Sequence, residues 1–250
     1  MSIFNTGKIE AVLSIAGYDP SGGAGVLADI KTFESLGKHG CAICTCITFQ
    51  NDIAFHGLNW LEFETIKNQF NSLSTRFEFK TAKIGLIKNI QMLNECIEML
   101  KDYSSEIKII WDPILKASAG FEFHEKFDAK LLYESLKKIY LVTPNLEESK
   151  QLFPNGLDDA IAITNLLIKD CEVTEPNAVD NLFEDGHWHT ISEKRITGFE
   201  KHGSGCVLSA AISAYVSNEN TSLMQACKEA KLYTLNFLKS SPQRVGFHKN

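Results

Sequence analysis

The sequence predicts an α/β fold with a mainly parallel central sheet, helices on both faces and a small antiparallel edge, in one domain over residues 1–250. Three observations carry this expectation. Short apolar runs of strand length alternate with amphipathic stretches of helix length, the order that builds parallel sheets. The first run, 10–16, passes through a glycine-rich turn straight into a helical pattern at 25–36, which is a β-loop-α unit. Beyond Pro176 the alternation gives way to two runs, 178–183 and 188–191, around Glu184-Asp185-Gly186, which is hairpin chemistry.

Along the chain, 10–16 (EAVLSIA) is largely apolar, as a strand buried on both faces must be. Residues 25–36 set Val26, Ile30 and Phe33 on one helical stripe, and Asp29 lies on that same stripe. Further buried strands are expected at 41–49, 81–85, 107–112, 141–143 and 165–168. Helices are expected at 61–74, 90–101, 128–138 and 146–153, and two more, 206–217 and 222–239, close the chain. Neither an internal repeat nor a low-complexity linker marks a domain boundary.

Composition excludes several classes. The chain has 44% apolar and 22% charged residues and lacks a run long enough to span a membrane. Its net charge of −6 argues against a non-specific nucleic-acid surface, which needs clustered Lys and Arg. Met1 to Lys8 lacks the charged and apolar regions of a secretory signal, so a cytoplasmic location is expected. Seven cysteines, an odd number scattered in apolar segments, fit reduced thiols better than a disulfide framework.

Two glycine-rich turns are the candidate site. In the first, from Ala16 through Gly17 to Gly25, the lysine of a P-loop is missing, and the glycine spacing is not that of a dinucleotide fingerprint. Asp29, just beyond it, needs donors or a cation if buried, and a ligand could supply them. In the second, Gly203-Ser204-Gly205-Cys206 opens a helix whose first backbone N–H groups lack intrahelical acceptors, a cradle for an anion. The same position favours a lowered thiol pKa, so Cys206 is a candidate base or nucleophile, against the plainer role of a small packed residue.

Carboxylates end two strands. Asn145 and Glu148 have the spacing of a helix-capping box, and equally of residues that organise the waters of Mg²⁺. Asp112, before Pro113, is placed to serve a metal or a substrate. Cys41, Cys44 and Cys46 do not make a metal cluster, because a strand turns Cys41 to the face opposite the other two. His187 and His189 lack a third ligand.

Together these segments resemble the hydroxymethylpyrimidine and hydroxymethylpyrimidine phosphate kinases. Ala16 to Lys31 is similar to that family's A-G-S-D-P-S-G-G-A-G-x-x-A-D-x-K turn, with Tyr18 for its Ser. Thr48-Phe49-Gln50-Asn51, Lys83-Ile84-Gly85-Leu86, Asp112-Pro113-Ile114, Thr143 to Glu148 and His202 to Cys206 follow in the family's order. Lys116 to Gly120 is similar to its A-K-S-G loop at altered spacing. The resemblance implies a ribokinase-like fold and transfer of the γ-phosphate of ATP to 4-amino-5-hydroxymethyl-2-methylpyrimidine, and in many members to its monophosphate. It implies Cys206 as base and Gly203, Ser204 and Gly205 as anion hole. Gly17, Asp29, Gln50, Leu86 and Ile114 would contact the pyrimidine. Asp112, Asn145, Glu148 and Lys169 would serve the nucleotide, with Asn145 and Glu148 reaching Mg²⁺ through water. A pyrimidine alcohol and ATP are thus the expected partners, and a homodimer the expected assembly.

One departure stands out. Where the family has K-G-G-H, this chain has Lys169-Asp170-Cys171-Glu172, so two acids are expected near the phosphates, and ATP is expected to bind more weakly. The alternatives are a pyridoxal or pyridoxine kinase of the same cysteine type, and a non-catalytic pyrimidine-binding protein.

Overall fold

β1 (Ile9–Tyr18) is buried from Ala11 to Gly17 and pairs in parallel on both sides, with β2 (Gly40–Gln50) and β4 (Phe77–Ile84). A strand enclosed in this way cannot alternate polar with apolar residues, which is why its sequence reads as a continuous run. The computed structural model describes residues 7–115, 128–172 and 176–249. Parallel pairing continues from β4 through β5 (Lys108–Trp111) and β6 (Leu141–Val142) to β7 (Asn165–Glu172). Antiparallel strands close both edges: β3 (Phe55–Trp60) beside β2, and the hairpin β8 (Asn177–Glu184) and β9 (His187–Lys194) beside β7. Among the described residues the order is β3-β2-β1-β4-β5-β6-β7-β8-β9.

The sequence indicated the β8–β9 edge but not β3. Its residues Phe55-His56-Gly57-Leu58-Asn59-Trp60 are half-buried or exposed, because an edge strand has one neighbour, so they form no apolar run.

Helices cover both faces. On one lie α2 (Phe63–Ser74), α3 (Ile90–Tyr103), α4 (Ala129–Leu136), α5 (Leu146–Leu152) and the short α6 (Asp158–Ile161). The other carries α1 (Gly25–Ser35), α7 (Ser204–Val216) and α8 (Leu223–Lys239). Strand side chains alternate between the two cores: Leu13, Ile15, Ile109 and Trp111 face the first, whereas Val12, Ile110 and Leu141 face the second. Nine consecutive residues of α7, Cys206 to Ala214, have at most 7% of their surface exposed, so this helix is an interior element.

Within the second core sits a charged pair. Lys83 of β4 donates to both carboxylate oxygens of Asp29 of α1, at 2.6 and 2.8 Å, and the Ser14 hydroxyl of β1 donates to the same group at 2.6 Å. Both charged side chains are fully buried. Asp29 was expected to contact the pyrimidine; its donors here are Lys83 and Ser14, and it does not line the cavity described below. Burial alone would lower the Lys83 pKa, but Asp29, Cys206 and Asp112 around it hold it above the usual lysine value.

Removing one partner of such a pair leaves an uncompensated buried charge. Asp29→Ala is therefore expected to lose about 3–5 kcal/mol of stability in urea unfolding, and Asp29→Leu with Lys83→Met together to recover most of it. Unchanged stability in the single variant would mean that Asp29 is not the partner holding Lys83.

Candidate active site

The C-terminal ends of the parallel strands, where open α/β sheets bind ligands, frame a cavity of about 770 Å³. Gly17 after β1, Gln50 at the end of β2, and Leu86 after β4 line one part of it. Asp112 and Ile114 after β5 and Asn145 and Glu148 at the start of α5 line another. Lys169 of β7 and the stretch Gly203, Ser204, Gly205 and Cys206 complete it. Of the predicted residues only Asp29 is absent from the lining.

The two glycine turns are locked together. Asp19 accepts hydrogen bonds from the backbone N–H groups of Ser21 and Ala24, both at 2.9 Å, and from the Ser21 hydroxyl at 2.8 Å. His202 Nε2 lies 2.8 Å from Asp19 Oδ2, so this carboxylate bridges the first turn to the second. Burial would raise the Asp19 carboxyl, but its bonds to His202 and Ser21 hold it below the usual carboxylate value. Gly203, the N-cap of α7, has φ +78°, and a Cβ there would strike the Gly23 carbonyl. Only glycine allows both that backbone and that approach. Sequence reading quoted Asp19 and His202 within their motifs but gave them no role, because a contact across 183 residues leaves no local signal.

Cys206 lies in the first turn of α7, 6% exposed. Where the helix start was expected to lower the thiol, burial pushes it up to about 11, with Lys83 and the Gly25 backbone acting in the opposite direction. Asp112 and Asp29 nearby add to the upward push.

Beside it, Asp112 is 1% exposed and fully engaged. Lys169 Nζ donates to its Oδ1 at 2.8 Å and the Ser209 hydroxyl of α7 to its Oδ2 at 3.0 Å. Burial would lower Lys169, but Asp112 and Glu148 hold it above the usual lysine value, so it presents a firm positive charge at the cavity wall. The capping box is formed: Asn145 Oδ1 accepts from the Glu148 N–H and Glu148 Oε2 from the Asn145 N–H, each at 2.8 Å. Capping leaves Glu148 facing the cavity, where burial raises its carboxyl despite nearby Lys169.

Asp170 was expected to face the phosphates. Instead its carboxylate pairs with Arg195 at 2.6 Å and its N–H donates to Asp180 at 2.9 Å, in a left-handed backbone with φ +50°. Its charge is paired with Arg195, and Asp170 is not among the residues that line the cavity. The expectation for Glu172 falls on a side chain outside the described residues, as do Lys116 to Gly120.

A cavity lined by the start of α7 and by Lys169, at the C-terminal ends of a parallel sheet with antiparallel edges, is the architecture of a ribokinase-like small-molecule kinase. Its relatives agree. The Bacillus subtilis pyridoxal kinase, solved as an ADP complex, is 25% identical, with a TM-score of 0.80 and 97% of each chain covered. The Aquifex aeolicus hydroxymethylpyrimidine/phosphomethylpyrimidine kinase is 30% identical over 92% of this chain and 94% of its own. The bifunctional thiamine biosynthesis protein ThiDN of Methanocaldococcus jannaschii is 31% identical over 96% of this chain, which spans 56% of that longer protein. The sequence model of phosphomethylpyrimidine kinase matches residues 19–249, and the chain belongs to that family.

With its pKa pushed up to about 11, the Cys206 thiol of the ligand-free protein should react with iodoacetamide about tenfold faster per pH unit between pH ~7 and ~9.5. Mass spectrometry of the Cys206 peptide follows this reaction. A rate that levels off below pH ~8 would show that the site stabilises the thiolate.

Proposed function

We propose that this chain transfers the γ-phosphate of ATP to the hydroxymethyl group of 4-amino-5-hydroxymethyl-2-methylpyrimidine in thiamine biosynthesis, and that it accepts the monophosphate as well. The observation that carries this reading is the union, in one cavity, of Gln50 with the Gly203 to Cys206 helix start. Gln50 offers both donors and an acceptor to an aminopyrimidine edge. The helix-start amides offer the charge that a transferring phosphoryl group needs.

The chemistry follows from position. Cys206 Sγ, as thiolate, takes the hydroxyl proton while the alkoxide oxygen bonds to the γ-phosphorus and the bond to ADP breaks. A thiol pushed up by burial is a strong base once ionised but is sparsely ionised at neutral pH, so Lys83 beneath it matters. The N–H groups of Gly203 to Cys206 hold the charge that develops on the phosphoryl oxygens, and Lys169 adds a fixed cation. Asp112 acts by holding Lys169.

Mg²⁺ fits this wall. At the start of α5 it offers oxygens from Asn145 and Glu148, and Glu148 is a half-buried carboxylate whose raised pKa a cation would relieve. Asn145 and Glu148 would hold it through water, and when bound it supplies charge neutralisation to the phosphates. For the assembly, Tyr18, Ile47 and Phe49 are exposed apolar residues near the β2–β3 edge, which supports a homodimer through that edge. The free state of all seven cysteines supports a reducing, cytoplasmic setting.

A pyridoxal-type alcohol is the second reading, favoured by the likeness to the Bacillus subtilis pyridoxal kinase. A coupled ADP-release assay with hydroxymethylpyrimidine, its monophosphate and pyridoxal separates the two. The pyrimidine is expected to give the highest kcat/KM, and folded Cys206→Ala to bind it normally while turning over about 10²- to 10⁴-fold more slowly. Preference for pyridoxal would overturn the substrate, and near-normal turnover by Cys206→Ala would overturn the base.

A further inference from the structure

β2 and β3 pair in register from Cys46 opposite Trp60 to Phe49 opposite Gly57, and then the register slips. Gln50 faces Phe55, which leaves His56 as one extra residue on β3. Without the slip Gln50 would face His56. Directly opposed residues of an antiparallel pair share a face, and a bulge of this kind re-aims a side chain. Here it places Phe55 opposite Gln50, and both residues line the cavity, whereas His56 is exposed.

The turn between the two strands is tied down. The Asn51 N–H donates to the Ala54 carbonyl at 2.9 Å, and Asn51 Oδ1 accepts from the N–H groups of Ile53 at 2.9 Å and Ala54 at 2.8 Å. From the C-terminal segment, Arg244 Nε donates to the Asp52 carbonyl at 3.0 Å. Phe55 is therefore held in advance of any ligand, and a preorganised ring binds without a large ordering cost.

We propose that Phe55 is a specificity-determining residue that stacks on the heteroaromatic ring of the substrate while Gln50 reads that ring's edge. The proposal rests on the pyrimidine reading above and deepens it. A ring face and an amide side by side select a planar heterocycle over a sugar alcohol, since stacking needs a π-face and the amide needs ring heteroatoms.

The test measures KM for hydroxymethylpyrimidine and for ATP, and calorimetric Kd for the pyrimidine, on wild type, Phe55→Ala, Phe55→Leu and Phe55→Tyr. Ala and Leu should raise the pyrimidine KM and Kd about tenfold, Tyr should stay near wild type, and the ATP KM should move less than about twofold. Leu retains apolar bulk without a π-face, so a wild-type pyrimidine Kd in Phe55→Leu would overturn stacking. An unchanged Kd in Phe55→Ala would remove Phe55 from recognition altogether. A wild-type protein that binds the pyrimidine without phosphorylating it would sink the functional reading alone, and the variant Kd values would still decide the role of Phe55.

Discussion

The buried pair of Asp29 and Lys83 is the constraint around which this molecule is arranged. Two charges with no solvent exposure join α1 to β1 and β4 directly beneath the site. Such a pair contributes little to stability that well-packed apolar residues could not match. Packing therefore does not require it. What an apolar pair could not supply is the Lys83 ammonium near Cys206, which counters the burial that raises the thiol, while Asp29 acts the other way. The Asp112–Lys169 pair repeats the pattern one strand further on, with its ammonium reaching the cavity wall.

Above these pairs the two glycine turns behave as one body. Asp19 gathers donors from its own turn and from His202, and Gly203 packs against the Gly23 carbonyl so closely that a side chain is excluded. The first turn thus sets the position of the second turn's backbone amides. Phosphoryl transfer depends on aligning the attacking oxygen, the phosphorus and the leaving oxygen, so a rigid join between the two turns would serve it.

Much of this was legible in the sequence. The parallel strands announced themselves because burial on both faces imposes apolar runs, and the two glycine turns marked the site because only particular backbones need glycine there. Burial of Asp29 was legible from its helical stripe, but its partner was not, since Lys83 lies 54 residues away on another strand. β3 left no pattern because an edge strand buries little, and Phe55 was missed with it. The upward push on Cys206 was not legible, because a helix start is visible in sequence whereas burial comes from packing. Asp170 likewise reads as a charge near phosphate until Arg195, 25 residues on, is seen to hold it.

The central claim is that one cavity holds the acceptor alcohol against Cys206 and the transferring phosphate against the start of α7. A crystal structure with hydroxymethylpyrimidine, Mg²⁺ and a non-hydrolysable ATP analogue tests it most directly. The account predicts the hydroxymethyl oxygen within hydrogen-bonding distance of Cys206 Sγ and the terminal phosphate on the N–H groups of Gly203 to Cys206. A hydroxymethyl group turned away from Cys206, with the terminal phosphate bound elsewhere, would contradict it.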